Sequence, residues 1–417
     1  MHRYIHAFIY CFLAANLFNA HARDSRARLT LAEAISEARA KNPEMRALEA
    51  ALTASKGGIL TARTYANPEL TFAPGVRRSL QDTSFVTDFK GVLSLSQLLK
   101  FPGKRALEIA IAEHDAKLRQ LAIEAFRFQI AAKVSRAFYD MLAAQKIVEV
   151  RNEQLGSVKI FVESAQKRAE SGFAGDFETI KGQADLVTAR VALREAEGRV
   201  ATARITLNTL LGRPPPTPLA ITGSLENVAP RGGVADFNAL AMARNPALQA
   251  QVIEAQKSGL NLRLTRFGNR PDFAIGPTIE YSRDEQIFAI SATVALPLWD
   301  QKKGEIQTAS AEQRKALAEL EKLRLELRGE VTKAAAGLNV AKDQLAFYSP
   351  VFLEKLRAFV RQAEEGYAQN STTLLIYLDA KRTYFDTLAA YHEALSRVAE
   401  ARAELESAVG VPLELKP

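Results

Sequence analysis

The sequence contains one large unit twice. Asn42-Pro43 recurs as Asn245-Pro246, Pro68 as Pro271 and Pro74 as Pro277, all at an offset of 203 with no gap. Proline fixes φ and removes a backbone donor, so a shared proline spacing implies a shared order of breaks in the backbone. Further on, Gly172-Phe173-Ala174 answers Gly366-Tyr367-Ala368 and Asp185 answers Asp379 at an offset of 194. Leu211-Gly212-Arg213-Pro214 answers Val409-Gly410-Val411-Pro412 at 198. This period far exceeds the roughly 20–50 residues of solenoid repeats. The expected division is a first repeat over 23–212, a linker over 213–234, a second repeat over 235–412 and a tail over 413–417. The linker opens with Pro214-Pro215-Pro216-Thr217-Pro218, which cannot be helical throughout.

Each copy reads helix, two strands, very long helix, helix. Thr30, three residues before Glu33, is the expected cap of a helix that Asn67-Pro68 stops. Residues 69–76 then alternate, with Leu70, Phe72, Pro74 and Val76 opposite Glu69, Thr71, Ala73 and Gly75. A second alternating run over 84–97 sets Phe85, Phe89, Leu93 and Leu95 against Asp88, Lys90, Ser94 and Ser96. The second copy repeats this over 272–282 and 286–298, with Phe273, Ile275, Phe288 and Ile290 on the apolar side. Strands of this length match the 9–11 or so residues that cross a bilayer at a tilt. A soluble sheet with one buried face has the same alternation. If the strands do span, four of them cannot close a barrel, and an open edge in lipid leaves backbone groups unpaired, so the chain must oligomerise.

The long helices are expected over 104–170 and 303–365. The first holds no proline and a single glycine, Gly156, and 67 residues at 1.5 Å each extend about 100 Å. In the second, Leu317, Leu320, Leu327, Val331, Ala334, Leu338, Ala341, Leu345, Tyr348 and Phe352 follow steps of three and four, a heptad seam. Pro350 lies in that helix and marks a kink or a change of packing partner. Shorter helices are expected near 29–66, 176–211, 235–268 and 371–409.

What is absent narrows the chemistry. Arg3, the apolar Ile5–Phe18 stretch and Ala20-His21-Ala22 form an expected signal peptide over 1–22, too short in its apolar part to span. Cys11, the only cysteine, follows Phe8-Ile9-Tyr10 and lacks the small preceding residue of a lipoprotein box, so no lipidation is expected. Removing the peptide leaves only His114 and His392, a poor supply of metal ligands. Gly103-Lys104-Arg105 is no phosphate loop, and neither a nucleophile elbow nor a zinc-protease motif is present. No catalytic, metal or cofactor site is expected, and the chain is read as no enzyme. The net charge of +8 is spread without a basic run, which argues against a nucleic-acid partner.

Several short elements in order carry a resemblance: Asn67-Pro68-Glu69-Leu70 opening the first strand, Ser96-Gln97 leading to Gly103-Lys104-Arg105, and Leu378-Asp379-Ala380. With the duplication, they resemble the TolC-like outer membrane efflux proteins from about residue 28 to 412. The first two elements look most like the CzcC-type branch that serves heavy-metal exporters, although Phe101-Pro102 departs from the usual Gly before Gly-Lys-Arg. The resemblance implies a mainly α fold with a membrane β-hairpin pair. Three chains would form one β-barrel, with four strands each, continued by an α-helical tunnel through the periplasm.

By that resemblance the apolar strand side chains Phe72, Phe85, Phe89, Phe273, Ile275, Phe288 and Ile290 meet outer membrane lipid. Hairpin tips at Gly172, Phe173, Gly366 and Tyr367, where the glycines permit the turn between helices, meet a periplasmic adaptor. An inner-membrane pump of the resistance-nodulation-division type completes the system. The family narrows its tunnel with aspartates. Asp379 matches one such position and Ile376 stands at the other, while Asp185 is the repeat mate of Asp379. The expected function is a passive exit duct; the alternative is a periplasmic coiled-coil scaffold or adaptor that conducts nothing.

Overall fold

The computed structural model describes residues 28–78, 87–171, 176–225 and 232–413. The expected signal peptide, Phe85, Gly172, Phe173 and residues 414–417 lie outside the described residues. In chain order the elements are α1 (Leu31–Lys41), α2 (Pro43–Arg63), β1 (Glu69–Arg78), β2 (Thr87–Leu99), α3 (Lys104–Glu170) and α4 (Asp176–Leu210). There follow α5 (Val234–Arg244), α6 (Pro246–Phe267), β3 (Phe273–Tyr281), β4 (Gln286–Val294), α7 (Lys303–Ala346), α8 (Pro350–Ala368) and α9 (Leu374–Val409). The order of the first six therefore recurs with one extra helix break.

The prolines explain where helices stop. Asn42 and Asn245 have ψ of 126° and 121°, the extended backbone favoured before proline, and Pro43 and Pro246 begin the next helix. The single helices expected over 29–66 and 235–268 are thus each two. Thr30 caps α1 in a reciprocal box with Glu33, whose N–H it accepts at 3.4 Å while its own N–H donates to Glu33 Oε2 at 2.8 Å. The single long helix expected over 303–365 is also two, α7 and α8. Ser349 Oγ accepts the Phe352 N–H at 3.2 Å and Pro350 takes the first turn of α8, so the proline restarts the helix instead of kinking it. The first copy has no proline there, and α3 runs unbroken for 67 residues.

The chain forms two compact units. One comprises Ala47–Glu124 and Pro246–Glu326 and holds the whole sheet. Its four strands are antiparallel in the order β1-β2-β3-β4, so the two hairpins join through β2 and β3, and β1 and β4 are open edges. β4 ends at Val294, where its partner β3 begins at Phe273. Residues 295–298, expected within that strand, have no pairing neighbour among the described residues.

The other unit comprises residues 28–46, Ala125–Asn245 and Leu327 to residue 413. Val134, Phe138 and Met141 of α3, Leu207 of α4, Val331 and Leu338 of α7 and Leu405 and Val409 of α9 are among its fully buried side chains. Of the expected seam, Leu327, Val331, Ala334, Leu338 and Ala341 of α7 are buried here and Phe352 of α8 is exposed, while in the sheet-bearing unit Leu320 is buried and Leu317 exposed.

The linker after α4 is held by polar contacts, not by helix. Asn208, fully buried, donates from Nδ2 to Pro215 O at 3.0 Å and to Thr217 O at 2.8 Å. Gly212 has φ +71°, and a Cβ there would lie 3.0 Å from Lys41 O, so the position suits glycine on two counts. Ile221 forms a parallel bridge with Leu29, and Arg213 forks onto Glu37 of α1, with Nε 2.7 Å from Oε1 and Nη2 2.5 Å from Oε2.

Arg213 holds the Glu37 carboxyl below the usual carboxylate range, against burial that works to raise it, and Lys41 assists. A depressed folded pKa gives stability that is present above the unfolded carboxylate value and lost as pH falls through the folded one. Arg213→Met is expected to cost about 1.5–3 kcal/mol at pH 7. The gap from wild type should close below about pH 4 in thermal or denaturant unfolding; an equal gap at pH 7 and pH 3 would show that the ion pair does not hold the linker.

Candidate functional site

The sheet has one apolar and one small or polar face, set by strand register. Phe72 pairs with Leu93, Leu93 with Ile279 and Ile279 with Phe288, an apolar row across four strands. The adjacent row on the other face is Thr71, Ser94, Thr278 and Ala289. Thr278 Oγ1 donates to Ser291 Oγ at 3.0 Å, and Ser291 Oγ donates to Gly276 O at 3.2 Å. Gly276 lies so close to β2 that an added Cβ would be 1.7 Å from Leu95 O.

The described residues leave the apolar face uncovered. Phe72 is 66% exposed, Phe288 73% and Ile290 77%; Phe89 and Ile275 are exposed as well, and Phe273 is half-buried. Tyr281 and Trp299, near strand ends, are also exposed. A soluble sheet with this alternation would put the face against its own helices. Among the described residues no helix is long and apolar enough to cross a membrane.

Where strands meet helices, the Gly103-Lys104-Arg105 motif ties the hairpins together. Lys104, 9% exposed, donates from Nζ to Arg270 O at 2.7 Å and Asp272 Oδ1 at 3.0 Å; the Phe101 N–H donates to the same oxygen at 2.7 Å. Gly103 takes φ +94°. Arg105 donates to Arg63 O, and its guanidinium lies 3.8 Å from the centre of the Tyr65 ring. The sequence singled out the motif without its partners, because Lys104 and Asp272 are 168 positions apart.

In the other unit, the α8–α9 turn is built differently from expectation. Gly366 lies inside α8 with no positive φ; the left-handed residue is Asn370, at φ +60°. Gly366 O accepts the N–H groups of Ser371 and Thr372, and a Cβ on Gly366 would lie 2.3 Å from Thr372 Oγ1, so the glycine provides room for the returning chain. Tyr367 stacks on Tyr377 with centroids 5.0 Å apart and planes 6° apart, and Phe161 of α3 packs against both. The Tyr367 hydroxyl donates to Glu178 Oε2 at 3.0 Å, and burial together with that carboxylate pushes its pKa up to about 12. Lys381 reaches Ser157 Oγ at 2.6 Å and Glu364 at 2.9 Å. Tyr377, Phe161 and Glu178 carried no local sequence signal.

Asp185 and Asp379 line the same cavity, of about 120 Å³, between α3, α4 and α9. Each carboxylate is paired on its own helix, Asp185 with Lys181 and Asp379 with Arg382 at 2.7 Å. Ile376 is exposed and is not part of that lining. Among the described residues no group of three or more His, Cys, Asp or Glu is placed to hold a metal.

The sheet geometry gives a test by substitution. Ile275→Arg or Ile290→Arg is expected to cost about 2–4 kcal/mol of insertion near a bilayer midplane, while Thr278→Arg or Ser291→Arg on the opposite face is tolerated. Outer-membrane recovery of the four variants measures this, and equal recovery from both faces would contradict a lipid-facing assignment.

The comparisons with known proteins agree with this architecture. A family model described as outer membrane efflux protein matches residues 34–213 and 239–411, one block in each copy. The chain is 23% identical over 391 residues to the cobalt-zinc-cadmium resistance protein CzcC of Cupriavidus metallidurans, covering 93% of this chain and 91% of that one. It is 27% identical over 334 residues to protein CyaE of Bordetella pertussis, covering 75% and 70%. Among solved structures, CusC superposes with a TM-score of 0.77 at 16% identity over 92% of each chain. The open state of the MtrE outer membrane channel of Neisseria gonorrhoeae gives 0.75 at 17%, over 91% and 89%. A family model that covers both halves, on a chain whose sheet leaves its apolar face bare, places the protein in the outer membrane efflux protein family.

Proposed function

We propose that this chain is the exit duct of a tripartite exporter whose inner-membrane pump is of the resistance-nodulation-division type. Channels of the family are homotrimers in the outer membrane with a periplasmic helical tunnel, and they work with periplasmic adaptors and inner-membrane pumps. The observation that carries the duct is the sheet: apolar and uncovered on one side, small and polar on the other, open at both edges. A coiled-coil scaffold confined to the periplasm would have no use for that face. The adaptor contact is assigned to the α8–α9 turn around Gly366 and Tyr367. The mature N-terminus is assigned as free of lipid. The likeness to CzcC makes divalent metal cations the first cargo to test, with organic compounds as the alternative.

The constriction is assigned to Asp379 and Asp185, with Ile376 in place of a further carboxylate. Three copies would bring three Asp379 groups toward the axis, where their field attracts cations. Asp379→Asn is expected to lower cation selectivity and weaken block by multivalent cations in single-channel recordings on planar bilayers, with assembly intact. Unchanged conductance, selectivity and block would remove Asp379 from the gate. Recovery of the wild-type protein in soluble periplasm, away from an outer-membrane marker, would overturn the duct itself.

A further inference from the structure

The chain contains a template for the contact that its open edges lack. Antiparallel pairing sets β1 residue i against β2 residue 165 − i, as in Phe72↔Leu93, and β3 residue j against β4 residue 567 − j, as in Ile279↔Phe288. With β1 matching β3 at the proline offset of 203, these registers force β2 to match β4 at an offset of 199. The turn geometry supports that offset independently: Gly103 and Lys302, 199 apart, both have left-handed φ, +94° and +53°. Lys104 therefore corresponds to Lys303, and Arg270-Pro271-Asp272 corresponds to Asn67-Pro68-Glu69.

Closure of the family's trimeric barrel brings β4 of one copy to β1 of the next; we propose that the β2–β3 seam inside one chain is the template that sets the register of that contact. β4 of one copy pairs with β1 of the next in one defined register, and Lys303 locks the seam by reaching Glu69 and the Asn67 carbonyl of the neighbouring copy. This rests on the duct reading, since it takes a second copy as the occupant of the edge.

The register follows by transfer. Ser94↔Thr278, Gln97↔Ile275 and Leu99↔Phe273 within the chain become Thr293↔Gly75, Leu296↔Phe72 and Leu298↔Leu70 between chains. Three features fit. Residues 295–298 are not a strand in the isolated chain, and Leu296 and Leu298 are 67% and 63% exposed, as expected of a segment waiting for a partner. Both fall opposite apolar β1 residues, which continues the apolar face across the seam. Glu69 and Lys303 are exposed, with no partner among the described residues, although their mates Asp272 and Lys104 are paired at 3.0 Å. The aromatic part of the internal seam is not repeated. Asp300 stands where Phe101 does, and its carboxylate accepts the Lys302 N–H at 2.9 Å.

Disulfide trapping in outer-membrane vesicles tests the register, because the only native cysteine, Cys11, lies in the expected signal peptide. Thr293→Cys is combined in turn with Gly75→Cys, Ala73→Cys and Arg77→Cys, which share one strand face. Oxidation is expected to link chains up to a trimer on non-reducing gels through Gly75→Cys in preference to the other two. In the charge test, Lys303→Glu is expected to lower the yield of SDS-resistant trimer roughly tenfold through like-charge juxtaposition, with recovery on adding Glu69→Lys. Preferential coupling through Ala73→Cys or Arg77→Cys would overturn the register. A charge reversal without effect, or without recovery in the double variant, would overturn the lock. Trimers that form with no coupling at any of the three positions would overturn the seam while leaving the duct in place. Loss of trimer and of outer-membrane recovery for the wild type would bring down the duct reading itself.

Discussion

Backbone hydrogen bonding in lipid is the constraint on which the rest depends. A strand edge in the hydrocarbon region has no water to satisfy its N–H and C=O groups, so a spanning sheet must close. This chain supplies four strands with two open edges and an apolar face that its own helices leave bare. Closure therefore has to come from other copies, and the homotrimer of the family is the solution: three copies of four strands pair every edge. The helices follow the same count, since each hairpin hands its strands directly to helices.

The junction between strands and helices carries the duplication into chemistry. Lys104 is almost fully buried, yet its ammonium is satisfied by a carbonyl and a carboxylate from the other copy of the repeat. A buried lysine without such partners would be costly, so the Lys104–Asp272 contact fixes how the two hairpins are joined into one sheet. In the helical unit the aromatic cluster of Phe161, Tyr367 and Tyr377 does similar work, pinning the α8–α9 turn to α3 while Glu178 ties Tyr367 to α4. Asp379 and Asp185 are each paired with a basic residue one turn away, so the field of either carboxylate is shared with that cation.

Much of this was legible in the sequence, for a physical reason. Period-two alternation is strict where a sheet has one apolar and one polar face, so the strands and the residues of their exposed apolar face could be read directly from Phe72, Ile275 and Ile290. Helix breaks were harder. Asn42-Pro43 and Pro350 were visible as prolines, but whether a proline kinks a helix or restarts it depends on a cap such as Ser349, and the break at Pro350 divides a helix that the heptad seam alone would extend. The end of β4 at Val294 was missed because the apolar alternation continues through Leu296 and Leu298, whereas β3 begins at Phe273, opposite Val294, and offers them no pairing residue. The contacts of Lys104, Tyr367 and Lys381 could not be read at all, since each joins residues far apart in sequence with no local periodicity.

Native mass spectrometry of the protein released from mild detergent tests the central claim most directly. If closure of the sheet requires other copies, the dominant species has three times the mass of the mature chain, and no stable monomer survives under conditions that preserve the fold. A folded, monodisperse monomer in the same detergent would show that the chain can satisfy its own edges, and would contradict the account.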